Sequence, residues 1–190
     1  MNKRWNSKDF KIGVLGGGQL GRMLIQEAID LDVHLHMIDS DPNAPCALIA
    51  HSFTHGSITN YDEVIEFGKD KDLITVEIEN VNIEALEALE QKGVKIFPQP
   101  RVLKIIKDKG VQKQFYADHN IPTAPFTLYD NANALKGADI SYPIIQKMRT
   151  GGYDGKGVQL LKTSSDSFDA PNLCESVSYT HLTLPTMLMV

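Results

Sequence analysis

The fold of this chain is decided by the stretch Lys11-Ile12-Gly13-Val14-Leu15-Gly16-Gly17-Gly18-Gln19-Leu20-Gly21. It begins as a short apolar strand and continues through a glycine turn into a segment where apolar residues recur every three or four positions, which predicts a helix. Those apolar residues are Leu20, Met23, Leu24, Ala28 and Leu31. A strand, a glycine turn and a helix in this order predict the opening of a Rossmann-type α/β domain.

The glycine turn also fits a dinucleotide-binding pattern. The glycines at positions 16, 18 and 21 satisfy Gly-x-Gly-x-x-Gly, and a second apolar strand over residues 33–39 ends in Asp39, where a ribose 2′-OH acceptor is expected. On these motifs alone the turn is an NAD site. The pattern is short, however, and the same turn serves any phosphate or the close packing of a helix on a strand, so both interpretations stay open.

Short apolar segments alternate with helical ones after the first helix. Strands are predicted at residues 52–54, 73–78 and 94–97, and helices at residues 61–67 and 83–89. This βα order predicts a parallel sheet with helices on both faces and ligand contacts at the carboxyl ends of its strands. Residues 16–20, Asp39 and residues 77–80 fall at such ends. Of Glu77 and Glu79, only one is expected to face a given ligand, and the alternative is that both are simply exposed to solvent at the strand end.

Pro98-Gln99-Pro100 ends this alternation. Two prolines fix an extended connector through which neither a helix nor a strand continues. We therefore expect a Rossmann-like domain over residues 1–100 and a second domain from residue 101. In the second domain, helices are predicted at residues 101–107 and 111–119.

A second glycine-rich stretch lies in the second domain, Gly151-Gly152-Tyr153-Asp154-Gly155-Lys156-Gly157. Residues 142–147 and 157–162 flank it as short apolar strands, which predicts a hairpin. Peptide N–H groups in such a turn can point at oxyanions, while Lys147, Arg149 and the lysine of the turn add positive charge. The glycines join two strands instead of opening a helix, so the turn is not a Walker A loop. We expect a nucleotide triphosphate as the ligand, and a plain surface hairpin is the alternative.

Both glycine-rich stretches resemble those of one family. Residues 151–157 are similar to the hairpin that covers the nucleotide in ATP-grasp enzymes, in the version found in the 5-(carboxyamino)imidazole ribonucleotide synthase family. Residues 16–24 resemble the amino-terminal signature of that family, whose first domain is Rossmann-like but holds no dinucleotide. Residues 75–81 are similar to its acidic strand end beside the ribonucleotide substrate.

The resemblance implies contacts for two substrates. The residues expected to contact ATP are Lys109, Lys147, Gly152, Tyr153, Asp154, Gly155, Lys156, Gly157 and Val158. The residues expected to contact the ribonucleotide are Gly18, Gln19, Leu20, Glu77 and Asn80. The family's catalytic residues and its Mg²⁺ ligands, a Glu and a Glu-x-Asn pair, are expected downstream, so neither a catalytic residue nor a metal ligand is assigned here. For either lysine outside the turn, a solvated surface position is the alternative.

The function that the resemblance implies is that of an ATP-dependent carbon–nitrogen ligase of purine biosynthesis. In that family ATP activates bicarbonate as carboxyphosphate, and the carboxyl group passes to the exocyclic amine of 5-aminoimidazole ribonucleotide. Mg²⁺ is expected with the ATP, and a homodimer is expected on the same ground. The alternatives are another ATP-grasp ligase, such as formate-dependent glycinamide ribonucleotide transformylase or biotin carboxylase, and an NAD-binding regulatory module.

The chain departs from the family pattern near its carboxyl end. We expect residues 101–173 to be an incomplete ATP-grasp domain and residues 174–190 to be a non-native tail that resembles translated sequencing adapter. A natural strand at residues 187–190 is the alternative. The fragment by itself is therefore expected to be inactive.

The composition is that of a globular protein, and we expect a metabolite enzyme. The 190 residues are 42% hydrophobic, and the net charge of −5 argues against nonspecific binding of nucleic acid. No apolar run approaches the ~20 residues of a membrane span and no signal-peptide core follows the amino terminus, so we expect no membrane partner and a cytoplasmic location. Cys46 and Cys174 stand too far apart in sequence to indicate a disulfide framework or a zinc knuckle.

Four histidines form two closely spaced pairs in the first domain, His34 with His36 and His51 with His55. A metal site is the alternative that such spacing raises. No Cys or carboxylate completes a ligand set at a useful spacing, so structural or surface histidines are expected.

Overall fold

The computed structural model describes residues 4–129, 139, 141–151 and 157–163, and the backbone of residues 177–181. The chain forms two compact units, Met1–Lys104 and Ile105–Val190. The division falls inside a helix, whereas the two prolines predicted it after Pro100.

The first unit is an α/β domain with a five-stranded parallel sheet in the order β3-β2-β1-β4-β5. The strands are β1 Ile12–Leu15, β2 Leu35–Asp39, β3 Ser52–His55, β4 Leu73–Val76 and β5 Lys95–Ile96. The helices are α1 Gln19–Asp30, α2 Tyr61–Gly68, α3 Ile83–Gln91 and α4 Pro100–Lys107, of which α4 crosses the division. The predicted Rossmann-like parallel sheet is confirmed.

Two apolar clusters cover the two faces of this sheet. Neighbouring residues of β1 point to opposite faces, and Val14 and Leu15 are both fully buried. Val14 packs in one cluster with Ile25 of α1 and Met37, whereas Leu15 packs in the other with residues of α2 and α3 such as Leu86. Burial on both faces explains why the central strand β1 carries no polar side chain.

Helix α1 forms where the apolar spacing predicted a helix, but most of the residues that carried the signal are exposed. The buried residues of α1 are Gly21, Ile25 and Ala28. The exposed apolar residues are Leu20, Met23, Leu24, Ile29 and Leu31. At Gly21 the helix packs closely on the sheet, since a Cβ at this position would lie only 2.9 Å from Met37 Cε.

Side chains cap the starts of three helices. Asn60 Oδ1 accepts a hydrogen bond from Glu63 N at 3.1 Å in α2, and Asn82 Oδ1 accepts one from Ala85 N at 2.8 Å in α3. Asp108 caps the helix of the second unit in the same way. Such caps satisfy N–H groups that the helix itself leaves without a partner. Within the described ranges, no helix is both long and apolar enough to cross a membrane.

The described part of the second unit contains helix α5 Lys109–Asp118 and a four-stranded sheet in the order β6-β9-β7-β8, with antiparallel pairing. Its strands are β6 Phe126–Tyr129, β7 Ile144–Met148, β8 Val158–Leu161 and β9 Val177–His181. Strands β7 and β8 form the predicted hairpin, with Lys147 opposite Val158. Strand β9 falls within residues 174–190, and the proposed non-native origin of those residues stays a prediction.

Candidate functional site

The carboxyl ends of β1, β2 and β4 meet at the first glycine turn. Gly16 directly follows β1 and has a φ of +107°, which residues with a side chain rarely adopt. Asp39 is the last residue of β2, and Glu77 directly follows β4. The structure therefore brings the glycine turn, Asp39 and Glu77 together at one end of the parallel sheet.

The carboxylate of Glu77 lies against the glycine turn. A Cβ at Gly16 would stand 2.6 Å from Glu77 Oε2, and a Cβ at Gly18 would stand 2.7 Å from Oε1. Gly21 N also donates a long hydrogen bond of 3.4 Å to Oε1. Since Gly18 has no side chain to cap α1 and the first turn of α1 holds no acidic residue, Glu77 supplies the negative charge at the helix start.

Both oxygens of the Asp39 carboxylate bind the backbone. Oδ2 accepts a hydrogen bond from Gly17 N at 2.7 Å, and Oδ1 accepts one from Asp41 N at 2.9 Å. Asp39 thus holds the glycine turn in place. A dinucleotide would need this carboxylate for its ribose and the space at the start of α1 for its pyrophosphate, where the Glu77 carboxylate already lies. The geometry argues against the NAD interpretation.

Cys46 packs beneath the same turn and is fully buried. Its N–H donates to Gly17 O at 3.0 Å, and its thiol donates to Gly18 O at 3.5 Å. Burial, followed by the charges of Glu77 and Asp39, raises the pKa of the Cys46 thiol. Sequence reasoning gave Cys46 no place at the turn, because a single thiol carries no spacing signal.

The other residues expected to contact the ribonucleotide are open to solvent. Gln19 and Leu20 are exposed in the first turn of α1, directly after Gly18. Asn80 is exposed in the loop that leads from β4 to α3. Gly18, Gln19 and Leu20 therefore adjoin Glu77 at an accessible end of the sheet, and Asn80 lies three residues beyond Glu77.

In the second unit, an ion pair connects the hairpin with α5. Arg149 Nε donates to Asp108 Oδ1 at 2.9 Å, and Arg149 Nη2 donates to Asp108 Oδ2 at 2.7 Å. Burial acts to raise the pKa of Asp108, but the hydrogen bonds from Arg149 and from Val111 N and Gly110 N outweigh it and hold that pKa below its ordinary value. Sequence reasoning placed Arg149 on phosphate and did not identify Asp108, whose signal was its position just before a helix.

Three lysines lie on the two segments that this ion pair joins. Lys109 is the first residue of α5, and Lys147 lies on β7 two residues before Arg149; both are half-buried. Lys113 of α5 donates to Thr123 Oγ1 at 2.6 Å. Burial, followed by the positive charge of Lys147, lowers the pKa of Lys113. An anion bound beside Lys113 would favour its charged form.

Part of the predicted ATP site lies outside the described residues: Gly152, Tyr153, Asp154, Gly155 and Lys156. The residues of the predicted ATP site that are described at the end of the hairpin are Gly157 and Val158. Met148 N donates to Gly157 O at 2.8 Å, and Gly157 has a φ of +73°. Val158 begins β8 and is exposed.

Among the described residues, no group of three or more His, Cys, Asp or Glu side chains could hold a metal ion. The ring of His51 instead packs edge-on against His34 and His36, with centroids 4.7 and 5.1 Å apart. His36 Nδ1 lies 2.6 Å from Ser52 Oγ.

Two family comparisons cover most of the chain. Residues 10–107 match the ribonucleotide synthetase preATP-grasp domain, and residues 114–182, which include β9, match the ATP-grasp domain. The chain is 33% identical over 167 residues to the N5-carboxyaminoimidazole ribonucleotide synthase of Staphylococcus epidermidis, in a match that covers 86% of this chain and 44% of that protein.

Solved structures show the same similarity. The carboxyaminoimidazole ribonucleotide synthase of Aspergillus clavatus complexed with ATP matches with a TM-score of 0.82 at 30% identity, over 96% of this chain and 49% of that one. A structure of the N5-carboxyaminoimidazole synthase of Aspergillus clavatus with ADP and 5-aminoimidazole ribonucleotide matches with a TM-score of 0.76 at 28% identity, over 93% of this chain and 47% of that one. The chain thus spans about half the length of these relatives or less.

Proposed function

The chain belongs to the ribonucleotide synthetase preATP-grasp family, and on this premise we propose that it is part of a ligase that uses ATP and bicarbonate to carboxylate 5-aminoimidazole ribonucleotide. One observation carries the proposal. A Rossmann-like unit is followed by an antiparallel hairpin that places Lys147 just before a glycine-rich turn, in a chain with a TM-score of 0.82 to an ATP-bound relative.

We assign the ribonucleotide to Gly18, Gln19, Leu20, Glu77 and Asn80. The relative solved with 5-aminoimidazole ribonucleotide supports this class of substrate. The Glu77 carboxylate at the glycine turn supports the position, since it can accept hydrogen bonds from the substrate's amine or hydroxyl groups. The exposed side chains of Gln19, Leu20 and Asn80 leave this end of the sheet accessible.

We assign ATP to Lys109, Lys147, Gly157, Val158 and the turn residues 152–156. The positive charge of Lys147 acting on Lys113 supports an anion at this position, because a triphosphate would compensate it. The hairpin geometry supports it as well, since glycines allow the backbone to approach phosphate oxygens closely.

The proposed reaction has two steps. The γ-phosphoryl group of ATP passes to a bicarbonate oxygen, which gives ADP and carboxyphosphate. The exocyclic amine of the ribonucleotide then attacks the carboxyl carbon, releasing phosphate and a proton. Lysines that neutralise phosphate charge favour the first step, because transfer of a phosphoryl group depends mainly on positioning and electrostatic stabilisation. Mg²⁺, a homodimer and a cytoplasmic location stay predictions.

The test uses the full-length protein that carries this chain. We expect ADP formation that requires both bicarbonate and 5-aminoimidazole ribonucleotide, and we expect Lys147→Ala to lower kcat/KM for ATP about 100-fold, as the loss of a charged phosphate contact does. Lys104→Ala is the matched control, because Lys104 pairs with Glu87 in the first unit. A wild-type rate in Lys147→Ala, or turnover with formate and glycinamide ribonucleotide instead, would contradict the proposal.

A further inference from the structure

Among the described residues, three hydrogen bonds join the base of the hairpin to the start of α5. Two join the Arg149 guanidinium to the Asp108 carboxylate, at 2.9 and 2.7 Å. The third joins the backbones, where Lys109 N donates to Arg149 O at 2.9 Å. Asp108 immediately precedes Lys109, and Arg149 follows Lys147 by two residues, so the three bonds connect the segments that carry both lysines assigned to ATP.

The Arg149–Asp108 ion pair fixes the relative orientation of the two side chains in addition to pairing their charges. Both oxygens of Asp108 face two nitrogens of one planar group, an arrangement that fixes direction in a way that a single contact does not. The Arg149 and Asp108 side chains are only 23% and 24% exposed. The fit extends to Gly110, where a Cβ would collide with the guanidinium. Asp108 Oδ1 also accepts from Gly110 N at 2.7 Å, so the same carboxylate caps α5.

We do not assign the Arg149–Asp108 ion pair to a phosphate contact. Asp108 cancels the charge of Arg149 and accepts from its Nε and Nη2. A guanidinium neutralised in this way contributes little attraction to a triphosphate. Its contribution is therefore to the position of the neighbouring backbone.

We propose that Asp108 and Arg149 are positioning residues for ATP, which hold the base of the glycine-rich hairpin against the start of α5 and so keep Lys147 and Lys109 at a fixed separation. This inference rests on the proposed function, because it assumes that these lysines bind the triphosphate. Without the pair, both lysines are still present. The binding of ATP must then order the base of the hairpin, which lowers the affinity for ATP.

The first test measures the anchor itself by amide hydrogen exchange in the 190-residue chain, with the variant Asp108→Asn. Asparagine is as good a helix cap as aspartate, so the first amides of α5 should keep their protection. The amides of Lys109 and Met148, which bond Arg149 O and Gly157 O, should exchange about tenfold faster, in keeping with a loss of one charge-assisted bond. Glu87→Gln, which removes the Lys104–Glu87 pair, is the control and should leave both amides unchanged. Unchanged exchange at Lys109 and Met148 in Asp108→Asn would overturn the anchor.

The second test measures the consequence for ATP in the full-length protein. Asp108→Asn should raise KM for ATP about tenfold while kcat and KM for the ribonucleotide stay near wild type. Arg149→Lys keeps the charge but loses the bidentate geometry, so it should also raise KM for ATP. A purely structural role would reduce the apparent kcat through loss of folded enzyme with KM for ATP unchanged, and that result would overturn the proposal.

The two tests separate this inference from the proposed function. Wild-type protein that turns over no ATP would overturn the proposed function, and with it the ATP role of the pair. Wild-type turnover with an unchanged KM for ATP in both variants would overturn the positioning role alone.

Discussion

The carboxylate of Glu77 occupies the space that a side chain at Gly16 would need, since a Cβ at Gly16 would stand 2.6 Å from Glu77 Oε2 and 2.9 Å from Glu77 Cβ. Gly16 is therefore required by its contact with Glu77 as well as by its φ of +107°. These two requirements can be separated because Gly93 has a similar φ of +94° and no atom within 4 Å of its Cβ position.

We expect Gly16→Ala to destabilise the first unit more than Gly93→Ala does. A positive φ alone costs an alanine roughly 1–2 kcal/mol, which is the whole cost at Gly93. At Gly16 the crowding against Glu77 adds about 1–3 kcal/mol, as overpacking typically does. Urea denaturation followed by circular dichroism measures both free energies of unfolding. Equal losses in the two variants would show that Glu77 yields freely and does not restrict Gly16.

Replacing Asp39 tests whether it holds the glycine turn. Asp39→Ala removes the acceptor of both Gly17 N and Asp41 N, so we expect a loss of roughly 1–3 kcal/mol in the free energy of unfolding. Asp41→Ala is the control, since it removes a single contact, to Asn43 N, at an exposed position. If Asp39→Ala is as stable as wild type, Asp39 is not a structural residue and the NAD interpretation regains its ribose acceptor.

The thiol of Cys46 should resist alkylation in the folded protein. It is fully buried, and its pKa is raised by burial and by the charges of Glu77 and Asp39, so little reactive thiolate is present near pH 8. With Cys174→Ser in the background, iodoacetamide should label Cys46 at least about 100-fold more slowly than it labels the urea-unfolded chain, since labelling then waits for rare opening. Labelling of the folded protein at the unfolded rate would contradict the packing of Cys46 beneath the turn.

Most of the first unit could be predicted because its signals are local. Apolar segments punctuated by glycines and prolines located all five strands of the parallel sheet. The order of strands and helices then placed Gly16, Asp39 and Glu77 at one end of the sheet, because parallel strands share the direction of their carboxyl ends. The sequence left open whether Glu77 or Glu79 faces the turn, and the packing of Glu77 against Gly18 decides it.

The features that the sequence did not predict depend on contacts between segments that are distant along the chain. The buried face of α1 includes Gly21, which carries no hydrophobic signal, so the exposed leucines dominated the pattern instead. Asp108 and Arg149 stand 41 positions apart, and each is of a residue type that usually faces solvent. The pairing of Asp108 with Arg149 could not be predicted from the sequence, because it depends on the hairpin and α5 lying side by side.

The stability of the first unit should fall as the pH drops through the range in which His36 gains a proton. Burial of the ring, followed by the positive charges of Lys71, His51 and Lys11, lowers the pKa of His36 to about 4, and Asp70 acts in the opposite direction. His34 also packs in this group through its contact with the His51 ring. Because the unfolded chain takes up the proton near pH 6.5 and the folded chain resists it, the stability due to neutral His36 is full above about pH 6.5 and is lost between about pH 6.5 and 4.

His36→Asn isolates this effect from the carboxylates that titrate in the same range. We expect the difference in free energy of unfolding between wild type and His36→Asn to be constant from pH 7 to 8 and to shift against wild type as the pH falls from 6.5 to 4. The ring is only partly buried, so solvent screening keeps the shift below the ~1.4 kcal/mol per unit of pKa that a fully shielded group would show. His55→Asn is the matched control. The Nε2 atom of His55 lies 3.0 Å from Ser40 O, and His55 does not belong to this group of packed rings. A difference between wild type and His36→Asn that does not change with pH would contradict the lowered pKa.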